Sequence, residues 1–158
     1  MVPDVSKSIT VDVPAAEAFA LFVEQPMGWW PEKHVFVADR RSITIEPHVG
    51  GRYYETDVDG TEVTWGTVKA FAPPHRVVLT WRVGVRWRPL YSDVMASLIE
   101  VDFTEVDART TRVTLTHAQL DRHGEIAEAI HAALDGPSPG ETLTKFAELV
   151  ARSTSSAV

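Results

Sequence analysis

The sequence contains no cysteine among its 158 residues. Disulfide frameworks, thiolate nucleophiles, iron–sulfur clusters and cysteine-based zinc sites are therefore excluded. Positive charge is scarce as well, since 15 Lys and Arg stand against 22 Asp and Glu, which gives a net charge of −7 with His neutral. A negative overall field repels phosphate backbones, so we expect no nucleic-acid partner.

Long apolar runs are also missing. No stretch approaches the roughly 20 apolar residues that span a bilayer, and we therefore expect no membrane partner. The first residues lack a basic start followed by an apolar run, so we predict no signal peptide and a cytoplasmic location. The length suits one domain with a core at about residues 6–152, followed by a polar tail at residues 153–158.

Alternating polar and apolar residues, separated by turn signals such as Asp59-Gly60, predict about seven strands in hairpin order and hence an antiparallel sheet. The predicted strand segments are Ser8–Val13, Ser42–Ile45, Arg52–Val58, Val63–Phe71, Val77–Val83, Ile99–Phe103 and Val113–Thr116. Helical spacing after Pro14 predicts a first helix, and Met27–Pro31 leaves room for one further turn. Apolar stripes predict two more helices, around Ile126–Ala133 and Leu143–Val150. This order of elements indicates an α+β domain.

An ordered set of motifs carries a family resemblance. The motifs are Gly50-Gly51-Arg52-Tyr53-Tyr54-Glu55, Asp59-Gly60-Thr61-Glu62, Trp65-Gly66, Pro73-Pro74-His75-Arg76-Val77-Val78-Leu79, Trp81, Arg122-His123-Gly124-Glu125 and Leu143-Thr144-Lys145-Phe146. With them the chain resembles the Hsp90-ATPase-activator-homologue-like family of the START-like, or SRPBCC, superfamily. The resemblance implies the helix-grip fold, in which a curved antiparallel sheet wraps a long C-terminal helix and two short helical segments lie near the N-terminus. One departure is that Ser138-Pro139-Gly140-Glu141 stands where many relatives begin the last helix with a Gly-Trp pair.

The resemblance also implies an apolar cavity between the sheet and the last helix. Alternate residues of a strand share a face, and on this basis we predict which side chains line the cavity. They are Trp30, Tyr53, Trp81, Phe103, Leu115 and Phe146 as walls, with Glu55 and His117 as polar contacts. Trp65 is assigned to the outer face. The alternatives are a core closed without a cavity, and strand ends that leave both polar groups in water.

A basic cluster stands out in the loop predicted between the fifth and sixth strands. Arg82, Arg86 and Arg88 surround Trp87 in this loop. Such a cluster suits a carboxylate or phosphate on a ligand, or a protein partner anchored by Trp87 and Tyr91. A solvated edge of the sheet is the alternative.

No spacing in the sequence identifies a catalytic residue, a cofactor or a metal site. The six His residues form no H-x-x-x-H or H-E-x-x-H motif, and no G-x-S-x-G or G-x-G-x-x-G motif occurs. We therefore predict a protein that binds a small hydrophobic molecule, as monomer or homodimer, without established catalysis. Two alternatives stay open. One is a cyclase- or hydrolase-like enzyme with His117 or Glu55 as base, and the other is a protein-interaction module resembling Hsp90 ATPase activators.

Overall fold

Seven antiparallel strands form one sheet in the computed structural model, which describes residues 2–30, 37–82, 93, 96–135 and 141–155. The strands are β1 Val5–Val11, β2 Arg40–Ile45, β3 Arg52–Asp57, β4 Glu62–Ala72, β5 Arg76–Trp81, β6 Ser97–Asp107 and β7 Thr110–Ala118. Their order across the sheet is β1-β7-β6-β5-β4-β3-β2. Consecutive strands from β2 to β7 are neighbours, which confirms the predicted hairpin order.

The helices lie between β1 and β2 and after β7. They are α1 Ala15–Glu24, α2 Pro26–Trp29, a 3₁₀ helix Leu120–Ile126, α3 Ala127–Leu134 and α4 Glu141–Ser155. Pro14 has extended dihedral angles and stands directly before α1, where its missing N–H costs no helical hydrogen bond. The predicted start of the last helix at Ser138 lies outside the described residues. None of the helices in the described ranges is long and apolar enough to cross a membrane.

The core lies between the helices and one face of the sheet, which we call the inner face. Phe103 of β6 contacts the rings of Phe19 and Phe22 in α1, with ring centroids 5.3 and 5.7 Å apart. Phe146 of α4 meets Phe22 edge-on at 5.5 Å, and α4 also packs against β1 and α2. Burying each of these side chains contributes roughly 1.5–3 kcal/mol. The arrangement confirms the predicted α+β helix-grip fold.

A β-bulge interrupts the pairing of β2 with β3. Arg41 is an additional residue between the pairs Arg40–Asp57 and Ser42–Thr56. A bulge breaks the alternation of side chains along its strand. As a result Arg40 shares the face of Asp57 and has a side chain that is only 11% exposed, whereas Arg41 is exposed.

A second bulge, in β4, explains why the assignment of Trp65 to the outer face is wrong. Trp65 is an additional residue between the pairs Tyr53–Gly66 and Tyr54–Thr64. Gly66 pairs with Tyr53 and therefore shares its face of the sheet. Under strict alternation Trp65, one residue earlier, would point to the opposite face. At the bulge two consecutive residues oppose one, and the side chain of Trp65 is buried in the core.

Candidate functional site

The two bulges direct two donors at one buried carboxylate. Glu55 of β3 is fully buried. Its Oε1 accepts a hydrogen bond from Arg40 Nε at 3.1 Å, and its Oε2 accepts one from Trp65 Nε1 at 2.7 Å. A buried carboxylate is tolerated only with such partners, and the Arg40 bond is charge-assisted. Both oxygens of Glu55 are thereby engaged by the chain itself.

Aromatic rings pack beside Trp65, which binds this carboxylate. Trp30 meets Trp65 edge-on at 5.1 Å and lies 6.0 Å from the ring of Tyr53. The Tyr53 hydroxyl donates to the carbonyl oxygen of Thr80, and burial raises the pKa of Tyr53. Tyr53 therefore stays a neutral hydrogen-bond donor. We call Glu55, Arg40, Trp65, Trp30 and Tyr53 the Glu55 cluster.

A second group of polar and aromatic side chains lies on β5, β6 and β7. Trp81 at the end of β5 pairs with Ser97 at the start of β6. The Trp81 ring meets the imidazoles of His117 and His123 edge-on, at 5.5 Å in each case. His123 Nε2 and Ser97 Oγ are 2.6 Å apart and hydrogen-bonded. We call Trp81, His117, Ser97 and His123 the Trp81 cluster.

The Trp81 cluster lies on the inner face, and His117 is its one partly exposed member. His117 pairs with Ile99, which shares the face of Val101 and Phe103, so all four side chains point toward the helices. Val101 and Phe103 are buried, whereas His117 and Ile99 are only half-buried. His117 and Ile99 therefore keep part of their surface in contact with solvent. The Nδ1 atom of His117 is nevertheless buried, and Trp81 beside it is only 6% exposed. An imidazole is a group that can accept and return a proton.

The eight side chains predicted to line a cavity fall into three groups. Trp30, Tyr53 and Glu55 belong to the Glu55 cluster, Trp81 and His117 belong to the Trp81 cluster, and Phe103, Leu115 and Phe146 are buried in the core. Three strands separate β3 from β7 in the sheet, so Glu55 and His117 belong to different clusters. Among the described residues, no three His, Asp or Glu side chains form a group that suits a metal ion.

Arg82 is held by an acidic partner. Its Nε donates to Asp93 Oδ1 at 2.8 Å. Asp93 also accepts hydrogen bonds from the hydroxyls of Thr67 at 2.6 Å and Thr80 at 2.8 Å. By strand alternation Thr80 and Arg82 share the face opposite to Trp81. Arg86, Trp87, Arg88 and Tyr91, the rest of the predicted basic loop and its anchors, lie outside the described residues.

Asp93 makes the stability of the protein depend on pH. Burial by itself raises the pKa of Asp93, but the hydrogen bonds from Thr67, Arg82 and Thr80 lower it from 3.8 to about 2. A lowered pKa stabilises the fold above pH 4, and this contribution is lost as the pH falls toward 2. Because Asp93 is a quarter exposed, we expect it to contribute about 1 kcal/mol at pH 7. Urea unfolding of wild type and Asp93→Asn should differ by this amount at pH 7 and converge near pH 2. A difference that grows on acidification would contradict the assignment.

Four residues of the two clusters were not predicted from the sequence, namely Arg40, Trp65, Ser97 and His123. Ser97 could have been predicted, because the alternation that places Ile99, Val101 and Phe103 on the inner face extends back to it. Arg40 and Trp65 reach Glu55 through bulges, for which the sequence carries no pattern. His123 lies in the short 3₁₀ helix, which is interrupted at Gly124, and so short an element gives no periodicity from which to predict the direction of a side chain.

Comparison with known proteins identifies the family to which the chain belongs. Residues 12–150 match the family described as Activator of Hsp90 ATPase homolog 1-like protein. No curated protein matches the sequence. The solved structure of an anthrahydroquino-gamma-pyrone synthase, Txn09, complexed with SUM, is 49% identical, with a TM-score of 0.65, and the match covers 94% of this chain and 97% of that one.

Two further solved structures are similar over nearly their whole length. CalC, a self-sacrificing resistance protein from Micromonospora echinospora, is 26% identical, with a TM-score of 0.59 and 96% of each chain covered. Protein NE0264 from Nitrosomonas europaea is 16% identical, with a TM-score of 0.65 and 95% of each chain covered, and shows the fold alone. The chain belongs to the Activator of Hsp90 ATPase homolog 1-like family.

Proposed function

We propose that the protein is a cyclase that closes an oxygen-containing ring on a hydroxylated polycyclic aromatic substrate. The observation that carries this proposal is the 49% identity with an anthrahydroquino-gamma-pyrone synthase, over 94% of this chain and 97% of that one. The prediction of a ligand-binding protein without catalysis therefore gives way to the cyclase alternative that the sequence left open.

Ring closure of this kind needs only proton transfer. In a hydroxyaryl 1,3-diketone, the phenolic oxygen adds to the distal ketone carbon, and the phenolic proton moves to the ketone oxygen. The resulting hydroxyl then leaves as water together with one hydrogen from the carbon between the carbonyls, which yields the pyrone. No electrons are gained or lost overall. A protein that catalyses this step needs a flat apolar surface and a group that takes and returns a proton.

The Trp81 cluster fits these needs better than the Glu55 cluster does. Trp81 supplies an aromatic wall that is 6% exposed, and the partly exposed residue His117 meets its ring edge-on. Glu55 is fully buried and binds Arg40 and Trp65 with its two oxygens. We therefore assign the proton transfer to His117 and a structural role to Glu55.

Replacement of His117 by Asn tests this assignment. Asn keeps a polar side chain but cannot carry a proton between two atoms, so kcat for ring closure should fall roughly 100-fold. The substrate is a hydroxyanthraquinone with a 1,3-diketone chain ortho to its hydroxyl, and the absorbance of the pyrone product gives the rate. His75→Asn is the matched control, because His75 is exposed and follows β4 in the turn before β5. Equal rates for wild type and both variants would refute the role of His117.

A second candidate function is binding of a small molecule without catalytic turnover. The 26% identity with CalC, described as a self-sacrificing resistance protein, favours it. Both functions use the inner face, and they differ in whether the bound molecule leaves unchanged. A protein-interaction role of the loop around Trp87 stays a prediction.

A further inference from the structure

We propose that Asp93 is a positioning residue for the Trp81 cluster and sets the place of the Trp81 ring beside His117. The effect on ring closure rests on the proposed function, whereas the effect on the cluster rests on hydrogen bonds that need no ligand. Asp93 binds side chains on the face of the sheet opposite to Trp81. It therefore acts on the cluster through the residues that adjoin its members along the chain.

The carboxylate of Asp93 holds the end of β5. Trp81 is the last residue of this strand. The residues on either side of it both donate to Oδ1 of Asp93 at 2.8 Å, Thr80 through its hydroxyl and Arg82 through Nε. The end of a strand opens at low cost unless the residues around it are held. A displacement of the Trp81 ring therefore strains the two bonds to Asp93.

The main-chain carbonyl oxygen of Asp93 holds two further segments. It accepts a hydrogen bond from the N–H of Ala96 at 3.1 Å and one from Nη2 of Arg122 at 3.0 Å. Ala96 directly precedes Ser97, and Arg122 directly precedes His123. Three of the four members of the cluster are thus adjacent in sequence to a residue that is bonded to Asp93.

The 3₁₀ helix that carries His123 depends on contacts of this kind. It spans only seven residues, Leu120–Ile126, and the hydrogen bonds of a 3₁₀ helix have poorer geometry than those of an α-helix. The bond from Arg122 joins this helix to a residue 29 positions earlier in the chain. We expect this bond to fix how the imidazole of His123 meets the Trp81 ring, which it does edge-on at 5.5 Å.

The position of the Trp81 ring matters for the proposed reaction. His117, to which we assign the proton transfer, meets the same ring edge-on at 5.5 Å. A displacement of about 1 Å at a reacting group can lower a rate roughly 100-fold. Loosening the bonds of Asp93 should therefore slow ring closure, although Asp93 takes no part in the proton transfer.

The test compares Asp93→Asn, Arg122→Ala and the double variant with the wild type. Asn keeps the size of the side chain but removes its charge, and Arg122→Ala removes one donor from an exposed position. Proton–nitrogen NMR of the Trp81 indole, assigned through Trp81→Phe, reports the place of the ring. Each single variant should displace this signal and lower kcat roughly tenfold. The double variant should go no further than the larger single change, because both changes act through Asp93.

Asp102→Asn is the matched control, measured like the others at a temperature where every variant is fully folded. Asp102 accepts a hydrogen bond from Arg76 of β5 at 2.5 Å on the same face of the sheet, and neither residue adjoins a member of the cluster. The control should leave the Trp81 signal and kcat unchanged. An unmoved signal in both single variants, an equal displacement in the control, or additive changes in the double variant would overturn the positioning role. Displaced signals in a protein whose wild type closes no ring would overturn only the proposed function.

Discussion

Replacement of Glu55 by Ala is expected to lower the free energy of unfolding by about 3–5 kcal/mol. The change removes the acceptor of two buried donors, Arg40 Nε and Trp65 Nε1. The guanidinium of Arg40 would lose the Glu55 carboxylate in a position where its side chain is only 11% exposed. Breaking a buried ion pair by removing one partner is far more costly than replacing both partners together. Urea unfolding followed by far-UV circular dichroism measures the effect.

The matched control is Glu62→Ala on the neighbouring strand. Glu62 pairs with Arg52 at 3.4 Å, and both side chains are about half exposed, at 45% and 43%. Surface ion pairs of this kind contribute about 0–1 kcal/mol. The two variants therefore lose the same chemical group in different surroundings. Similar losses in both would show that Glu55 does not anchor the bulged strands.

Gly66→Ala is expected to be the other strongly destabilising change, at about 3 kcal/mol. A Cβ at this position would overlap the main-chain carbonyl oxygen of Thr80 and lie 2.7 Å from Cε1 of Tyr53. The Tyr53 ring crosses Gly66 to reach that same carbonyl. Because one of the obstructing atoms is backbone, β4 and β5 would have to separate. Thermal unfolding measures the loss.

Gly60→Ala separates this steric effect from the general cost of removing a glycine. Gly60 has a φ of 92° in the turn between β3 and β4, and a Cβ there would meet nothing within 4 Å. Its replacement should cost about 1 kcal/mol, from the backbone conformation alone. A Gly66→Ala variant no less stable than Gly60→Ala would contradict the described packing of Tyr53.

The alternation of polar and apolar residues in the sequence was sufficient to predict the sheet and many of the side chains on its inner face. Val113, Leu115 and His117 follow one another at every second position, and the register opposite Phe103, Val101 and Ile99 puts them on one face. The helix that begins after Pro14 also follows from local chemistry, since proline fixes φ and lacks an N–H. These features depend only on neighbouring residues, which the sequence shows directly.

The parts of the site that were not predicted depend on contacts distant in sequence. Trp65 faces the core because one extra residue in β4 is accommodated opposite Tyr53 and Tyr54, and the pairing strand decides where such a bulge falls. Ser97 and His123 are 26 residues apart and meet only after β7 and the turn at Gln119 bring the chain back. The contact between Ser97 and His123 therefore cannot be predicted from the spacing of nearby residues in the sequence.

The most direct test of the central claim is the number of ring closures that each chain performs. The purified protein is mixed with a large excess of the hydroxyanthraquinone that carries a 1,3-diketone chain, and pyrone and intact protein are both quantified by mass spectrometry. A cyclase is expected to form many equivalents of pyrone per chain, well above the uncatalysed reaction, and to remain intact. Binding without any pyrone beyond the uncatalysed amount would contradict the account, as would consumption of the chain after at most one equivalent.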